Sequence, residues 1–141
     1  MNAVAQGIAA PAARFMDNGD GTVTDTRSGL MWSKATMCEE EINQRQAEKL
    51  CAGLDLAGHT DWRQPTVDEL FALADRTRTE PAIDTEAFPD TRSDWYWTST
   101  ITAWSSDSAW IVSFSYGDAN DLRRVSGYAF VRAVRGVPAG Q

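Results

Sequence analysis

Short apolar and β-branched stretches at both ends of the chain predict β-strands. Near the start they are separated by two turn signals, Asp-Asn-Gly-Asp-Gly at 17–21 and Thr-Arg-Ser-Gly at 26–29. Near the end, Trp110, Val112 and Phe114 alternate with Ile111 and two serines, with the period of two that is typical of a strand. The polar segment 116–127 is predicted as a loop, and the predicted strands are residues 14–16, 22–24, 30–32, 95–100, 109–115 and 128–135.

Two segments between these strands have the spacing of amphipathic helices. Residues 43–54 place Ala47, Leu50, Cys51 and Leu54 on one face, and Asn43 with Gln46 forms a capping box at the start. Thr66 and Glu69 form a second capping box ahead of the stripe Val67, Leu70, Phe71 and Ala74. The order of hairpin, two helices, long loop and β-meander predicts an α+β domain.

The length and charge of the chain limit its organisation and its partners. With 141 residues it fits one domain, which we place at 14–137, after an Ala-rich disordered lead-in at 1–13 and before a tail at 138–141. A net charge of −7 argues against nucleic acid and anionic membranes as partners. No apolar run approaches the roughly 18 residues that span a bilayer, so we expect no membrane insertion. The lead-in lacks the basic start and apolar core of a signal peptide.

Few residues are available for catalysis. His59 is the only histidine, which excludes histidine-pair metal sites and leaves no visible nucleophile–base–orienter set. Cys38 and Cys51 are the only cysteines. The sequence offers two starts for the first helix, a capping box at Thr36–Glu39 and another at Asn43–Gln46. If the helix begins at Asn43, Cys38 lies in a loop that can fold back, and a disulfide is one alternative. Two small buried or half-buried thiols are the other.

Aspartates in the first turns are candidate ligands for a metal ion. Asp17, Asp20 and Asp25, with Asn18, could offer oxygens to Ca²⁺, but the spacing differs from that of an EF-hand. We expect a hairpin turn in which these side chains bond their own backbone instead. The sequence therefore predicts no cofactor, with Ca²⁺ as the alternative.

Two loops near the end of the chain combine aromatic and short polar side chains, a mixture found in binding loops. Because an exposed tryptophan and two tyrosines in loops need a reason, we expect these loops to bind a ligand. We expect them to be neighbours, since one strand connects them. The candidate residues are Trp104, Ser105, Ser106, Asp107, Tyr116, Asp118, Asn120, Asp121, Arg123, Arg124 and Tyr128.

Three further residues are expected to be structural. Trp62 is predicted in the core, with Arg63 bridging nearby carboxylates. Arg132 lies between Phe130 and Val134 on a strand face, which predicts a buried arginine with an acidic partner.

Five segments of the chain form an ordered set: FMDNGDGTVTDTRSGLMW at 15–32, DWRQPTVDEL at 61–70, YWTST at 96–100, AWIVSF at 109–114 and VRAVRG at 131–136. Taken together, they resemble a bacterial family, the Lcl-type C-terminal domain of collagen-like adhesins, formerly a domain of unknown function. The family pattern usually has Leu between Arg and Pro, where this chain has Gln64, which we interpret as a tolerated local change. The resemblance implies a C-type lectin-like fold, in which two helices pack on a twisted antiparallel sheet with long loops.

The resemblance also implies a function. It implies an exported or cell-surface protein, although the sequence alone leaves a cytoplasmic location open. We expect a non-enzymatic recognition domain that binds a glycan or a protein through its C-terminal loops, which in related chains are varied by diversity-generating retroelements. One alternative is an oxidase related to formylglycine-generating enzymes, using Cys38 and Cys51. Another is a structural cap that forms homo-oligomers. The classical calcium-dependent sugar-binding motifs are absent.

Overall fold

The structure is a computed structural model that describes residues 13–136. Apart from Ala13, the predicted lead-in lies outside the described residues, as does the predicted tail. Within these residues three strands are followed by two helices and then by four strands, which confirms the predicted α+β class. The elements are β1 (Phe15–Asp17), β2 (Thr22–Asp25), β3 (Met31–Ser33), α1 (Gln44–Ala52), α2 (Val67–Phe71), β4 (Trp95–Ile101), β5 (Ser108–Ser113), β6 (Asp118–Arg123) and β7 (Val134–Arg135).

The strands form two antiparallel sheets rather than the one sheet that was expected. The first has the order β1-β2-β3-β7, so the end of the described chain pairs with the initial hairpin. The second is the meander β4-β5-β6. A single bridge lies beside each sheet, with Arg63 next to Val134 of β7 in the first and Phe130 next to Tyr96 of β4 in the second.

Both helices begin at capping boxes that the sequence predicts, and α1 begins at the one with Asn43 rather than at the one with Thr36. Asn43 and Thr66 are the N-caps, and each forms a complete capping box with the residue three positions later, Gln46 and Glu69 respectively. The cap satisfies backbone N–H groups that would otherwise lack partners. Helix α1 ends at Ala52, shorter than predicted, and α2 has only five residues.

Two predictions about the final third of the chain are wrong. The segment 116–127, predicted as a loop, contains strand β6. The strand predicted over 128–135 is reduced to β7, with single bridges at Ala129 and Phe130. Strand β6 was missed because its sequence, DANDLR, contains neither aromatic nor β-branched residues.

The second sheet has a hydrophobic cluster on each face. Val112 and Phe114 join the cluster that contains Trp32 and Tyr96, whereas Ala109 and Ile111 join the one that contains Trp97. The alternation along β5 therefore serves two cores, because successive side chains of a strand point to opposite faces. Trp62 is buried in the second cluster, as predicted.

Arg132 is fully buried, but none of the ion pairs within residues 13–136 involves it, so the predicted acidic partner is missing there. Its guanidinium donates to the carbonyls of Ser33 (2.8 Å) and Lys34 (2.6 Å) and to Thr91 Oγ1 (2.8 Å). The planar group also lies 4.8 Å over the ring of Phe88. Backbone carbonyls and a π face take the place of a carboxylate, and burial lowers the pKa of this arginine.

Candidate functional site

The β5–β6 hairpin has two separate ends, and the expected binding residues are divided between them. Ser108 pairs with Arg123 at one end, and Ser113 pairs with Asp118 at the other. The five residue steps from Ser108 to Ser113, at about 3.3 Å each, separate the ends by about 17 Å.

This geometry corrects the expectation that all the candidate residues lie on neighbouring loops. The loop 104–107 adjoins Arg123 and Arg124, whereas Tyr116 and Asp118 lie at the opposite end of the hairpin. There the carbonyl of Gly117 accepts from Arg76 Nε at 3.2 Å. Strand β5 connects the two loops and separates them by its own length, which is why they are not neighbours.

The middle of β6 divides its candidate residues between the two faces of the sheet. Asp121 pairs with Trp110, and because residues paired across antiparallel strands point to the same face, it lies on the side of Trp110. Asn120 pairs with Ile111 on the opposite face. Its side-chain oxygen accepts from the backbone N–H of Asp121 at 2.8 Å, so it occupies part of the edge of β6.

The loop between β4 and β5 is held by its own hydroxyl groups. Thr102 Oγ1 donates to the carbonyl of Ser105 at 2.8 Å, and Ser105 Oγ accepts from the backbone N–H of Asp107 at 3.1 Å. Trp104, in the middle of this loop, is 64% exposed. Its ring meets that of Trp110 edge-on, with centroids 5.5 Å apart. The loop thus presents an indole supported by a second one.

Arg124 joins this loop to the start of helix α1. Its Nε donates to Gln44 Oε1 at 2.6 Å, and its Nη1 donates to the carbonyl of Ser106 at 3.0 Å. Gln44 is buried, and its Nε2 donates to the carbonyl of Thr98 at 3.0 Å. The backbone N–H of Gln44 donates to the carbonyl of Arg124 at 3.1 Å. The guanidinium of Arg124 is therefore fixed in position.

Two adjoining cavities open around these residues, with volumes of about 320 and 160 Å³. We call them together the arginine cleft. Gln44, Arg45, Val125 and Ser126 were missed by the sequence analysis; an exposed valine within a polar run was the available signal. The cleft is lined by Gln44, Arg45, Ser106, Asp107, Arg123, Arg124, Val125 and Ser126.

The arginine cleft is positively charged in an acidic protein. Of its lining residues, Arg45, Arg123 and Arg124 are cationic and Asp107 is the one carboxylate. None of the ion pairs formed within residues 13–136 involves these three arginines. Tyr128 is exposed beside Ala129, which pairs with Ile42 just before α1. The cleft therefore offers cationic donors, and the exposed side chains of Trp104 and Tyr128 are each two residues from its lining, at Ser106 and Ser126.

The aspartates that were candidates for Ca²⁺ are engaged in separate local contacts. Asp17 pairs with Lys34 at 2.6 Å, a contact that lowers the pKa of its carboxyl group. Asp20 Oδ1 accepts from the hydroxyl of Thr22 at 2.6 Å and from its backbone N–H at 3.1 Å. Asp25 pairs with Arg14 at 2.8 Å. Within residues 13–136, no group of three or more His, Cys, Asp or Glu side chains is arranged to hold a metal ion.

Both cysteines are free thiols. Cys51 is buried in the second hydrophobic cluster, and Cys38 packs against that cluster. Burial, with a smaller contribution from the nearby Cys38, raises the pKa of Cys51 to about 12. Such a thiol is protonated at neutral pH and is a poor nucleophile.

Arg63 carries out its expected role. Its two terminal nitrogens donate to the two carboxylate oxygens of Glu69, each at 2.8 Å, and Nη2 also donates to the carbonyl of Gly136 at 2.9 Å. The ion pair ties the start of α2 to the end of the first sheet.

The chain has a match among known protein families. A search of curated proteins gives no match. In the part of the chain that the structure describes, no helix is both long enough and apolar enough to cross a bilayer. The family model described as the Lcl C-terminal domain matches residues 21–135, which include every strand except β1, both helices and all of the arginine cleft. The chain therefore belongs to the Lcl C-terminal domain family.

Proposed function

We propose that this protein is a non-enzymatic recognition domain that binds an acidic glycan in the arginine cleft. The observation that carries the proposal is the set Arg45, Arg123 and Arg124, gathered without ion-pair partners on a protein of net charge −7. Unpaired arginines are costly to bring together unless an anion compensates them, and guanidinium groups hold carboxylates and sulfates by paired hydrogen bonds.

The aromatic residues beside the cleft favour a glycan over a simple anion. Trp104 is largely exposed, and its ring forms an edge-to-face contact with the ring of Trp110. An exposed indole offers its face to the apolar C–H groups of a sugar ring, while Asp121 lies on the same face of the sheet as Trp110 and can accept hydroxyl protons. An acidic segment of a partner protein is the competing ligand, and the experiment below distinguishes the two.

The wider assignment is part of the same proposal. A C-type lectin-like fold, an adhesin role at the cell surface and variation of the meander by a retroelement are all compatible with a site built on loops and on an edge strand. An oxidase that uses the cysteine pair has less support, because the thiol of Cys51 is buried with a pKa of about 12.

The test is binding to a panel of sulfated, uronic-acid and neutral glycans, together with acidic peptides. We expect the acidic glycans to bind and the affinity to fall as the salt concentration rises. Arg123→Ala should weaken binding at least about tenfold, since a hydrogen bond to a charged group contributes roughly 1.5–3 kcal/mol. Trp104→Ala should weaken binding to glycans more than binding to acidic peptides.

The matched control is Arg27→Ala. Arg27 is also exposed and forms none of the ion pairs within residues 13–136, but it lies outside the arginine cleft. It changes the net charge by the same amount, so an equal loss of binding in both variants would mean that only the overall charge matters. Preference for neutral glycans, or for acidic peptides over every glycan, would contradict the proposal.

A further inference from the structure

A buried glutamine without a partner marks a second cleft, on another part of the molecule. Gln64 is only 5% exposed, and its Oε1 is buried without any hydrogen-bond partner in the described part of the chain. A buried carboxamide oxygen without a donor costs free energy, and native structures contain few such groups. Such a group needs an explanation.

Gln64 lines a cleft of about 370 Å³ between α1 and the start of α2. We call it the Gln64 cleft. Oε1 is itself buried, but the terminal torsion of a glutamine is broad and roughly two-fold, so a ligand in the cleft can draw Oε1 toward itself by rotation of the carboxamide. The volume is at the lower end of the range for small-molecule sites. The lining residues are Glu48, Ala52, Arg63, Gln64, Thr66 and Ser99.

The walls of this cleft are fixed by contacts that leave polar groups available. Thr66 Oγ1 accepts from the backbone N–H of Glu69, which leaves its hydroxyl proton free to be donated. Ser99 Oγ donates to the carbonyl of Pro65 at 3.3 Å, which leaves its lone pairs free to accept. Both side chains are thus held in place, and each keeps part of its hydrogen-bonding capacity for a ligand.

The charges around the cleft disfavour an anionic ligand. Glu48 lies on the wall formed by α1, and none of the ion pairs within residues 13–136 involves it. Arg63 is the cation of the cleft, but both of its terminal nitrogens are bound to Glu69. An entering anion would meet the carboxylate of Glu48 without a free cation to compensate it. Gln64, Glu48 and Ser99 together present acceptors, which require a ligand with several donors.

We propose that the Gln64 cleft is a binding site for a neutral, hydroxyl-rich ligand of the size of a single sugar residue. A sugar hydroxyl donates to Gln64 Oε1, neighbouring hydroxyls donate to Glu48 and Ser99, and Thr66 donates to a ring or hydroxyl oxygen. Ala52 provides an apolar wall for a C–H face of the ring. This site is separate from the arginine cleft and does not depend on the function proposed there.

The probe is a set of neutral monosaccharides, comprising glucose, galactose, mannose and N-acetylglucosamine, titrated into the ¹⁵N-labelled protein and followed by NMR. We expect at least one sugar to cause saturable shifts of the side-chain amide of Gln64 and of the backbone amides of Thr66 and Ser99, with a millimolar Kd. Resonances of the arginine cleft should stay unchanged during the same titration.

Variants keep the test decisive. Gln64→Leu preserves the volume of the side chain and should abolish the shifts of Thr66 and Ser99, while a thermal melt shows that the domain stays folded. Ser99→Ala should weaken binding several-fold, because one acceptor is lost. Lys49→Ala is the control, since Lys49 is adjacent to Glu48 on α1 but does not line the cleft. It should leave the Kd unchanged.

Two outcomes would overturn the proposal. If none of the sugars shifts these resonances at tens of millimolar, the cleft holds only water, which by itself can supply the donor that Gln64 lacks. If the shifts occur but persist unchanged in Gln64→Leu, the sugar binds elsewhere and the buried glutamine has no role in recognition.

Discussion

Two buried glutamines should respond to the same substitution in opposite directions. Gln44 is 4% exposed and Gln64 is 5% exposed, so replacement by leucine inserts an apolar side chain of similar size into either site. Gln44 uses both ends of its carboxamide, through Thr98 and Arg124. The oxygen of Gln64 has no partner among the described residues. The difference in unfolding free energy between the two variants therefore compares a buried carboxamide that has hydrogen-bond partners with one whose oxygen has none.

The expected magnitudes follow from these contacts. Gln44→Leu leaves the carbonyl of Thr98 without its side-chain donor and removes the acceptor of a charged nitrogen of Arg124. At about 1–3 kcal/mol for a buried group left unpaired, with a smaller loss at the half-buried arginine, the variant should lose about 2–4 kcal/mol of unfolding free energy. Gln64→Leu removes an unpaired oxygen and should gain about 1 kcal/mol after allowance for imperfect packing.

Urea unfolding followed by tryptophan fluorescence measures both changes. With m in the usual range of about 1–3 kcal/mol/M, the midpoint should rise by roughly 0.5 M in Gln64→Leu and fall by roughly 1–2 M in Gln44→Leu, at unchanged m. If Gln64→Leu lowers the midpoint as much as Gln44→Leu does, then the carboxamide of Gln64 makes a stabilising hydrogen bond, and the reasoning is wrong.

Three further outcomes are expected. Trp104→Ala should change stability by no more than about 0.5 kcal/mol, whereas Trp97→Ala should cost about 3–5 kcal/mol because Trp97 is fully buried; comparable losses in thermal melts would place Trp104 in the core. Burial alone raises the pKa of Asp25, but hydrogen bonds from Arg14 and from a backbone N–H outweigh it and lower the pKa overall. Its stabilisation is therefore complete above about pH 4 and lost as the pH falls further, so the urea midpoint of Asp25→Asn should fall less steeply in acid than that of the unmodified protein. Iodoacetamide should alkylate Cys51 more slowly than Cys38 in the native protein, as read by mass spectrometry, because Cys51 is more deeply buried and burial raises its thiol pKa to about 12; equal rates would contradict this.

The features that the sequence determined are local ones. Both helix starts follow from capping boxes at Asn43 and Thr66, in which the two partners are three residues apart. The turn formed by Asp17 and Asp20 follows from aspartate side chains that bond backbone groups two residues away. Arg63 forms an ion pair with Glu69, six residues further along the chain. In each case the interacting groups are close in sequence. The short segment between them has few conformations, so the contact can be predicted from the sequence.

The tertiary structure decided the features that depend on residues far apart in the chain. Arg132 lies among the carbonyls of residues about a hundred positions earlier, so its need for a carboxylate could not be judged from its neighbours. Strand β6 forms because β5 supplies a row of backbone partners, although its own side chains do not favour a strand. The arginine cleft forms because Arg45 of α1 lies beside Arg123 and Arg124. The pairing of β5 with β6 places Tyr116 at the opposite end of the hairpin. Backbone pairing and burial between distant segments set these distances, and neither is encoded in the order of residues around any single site.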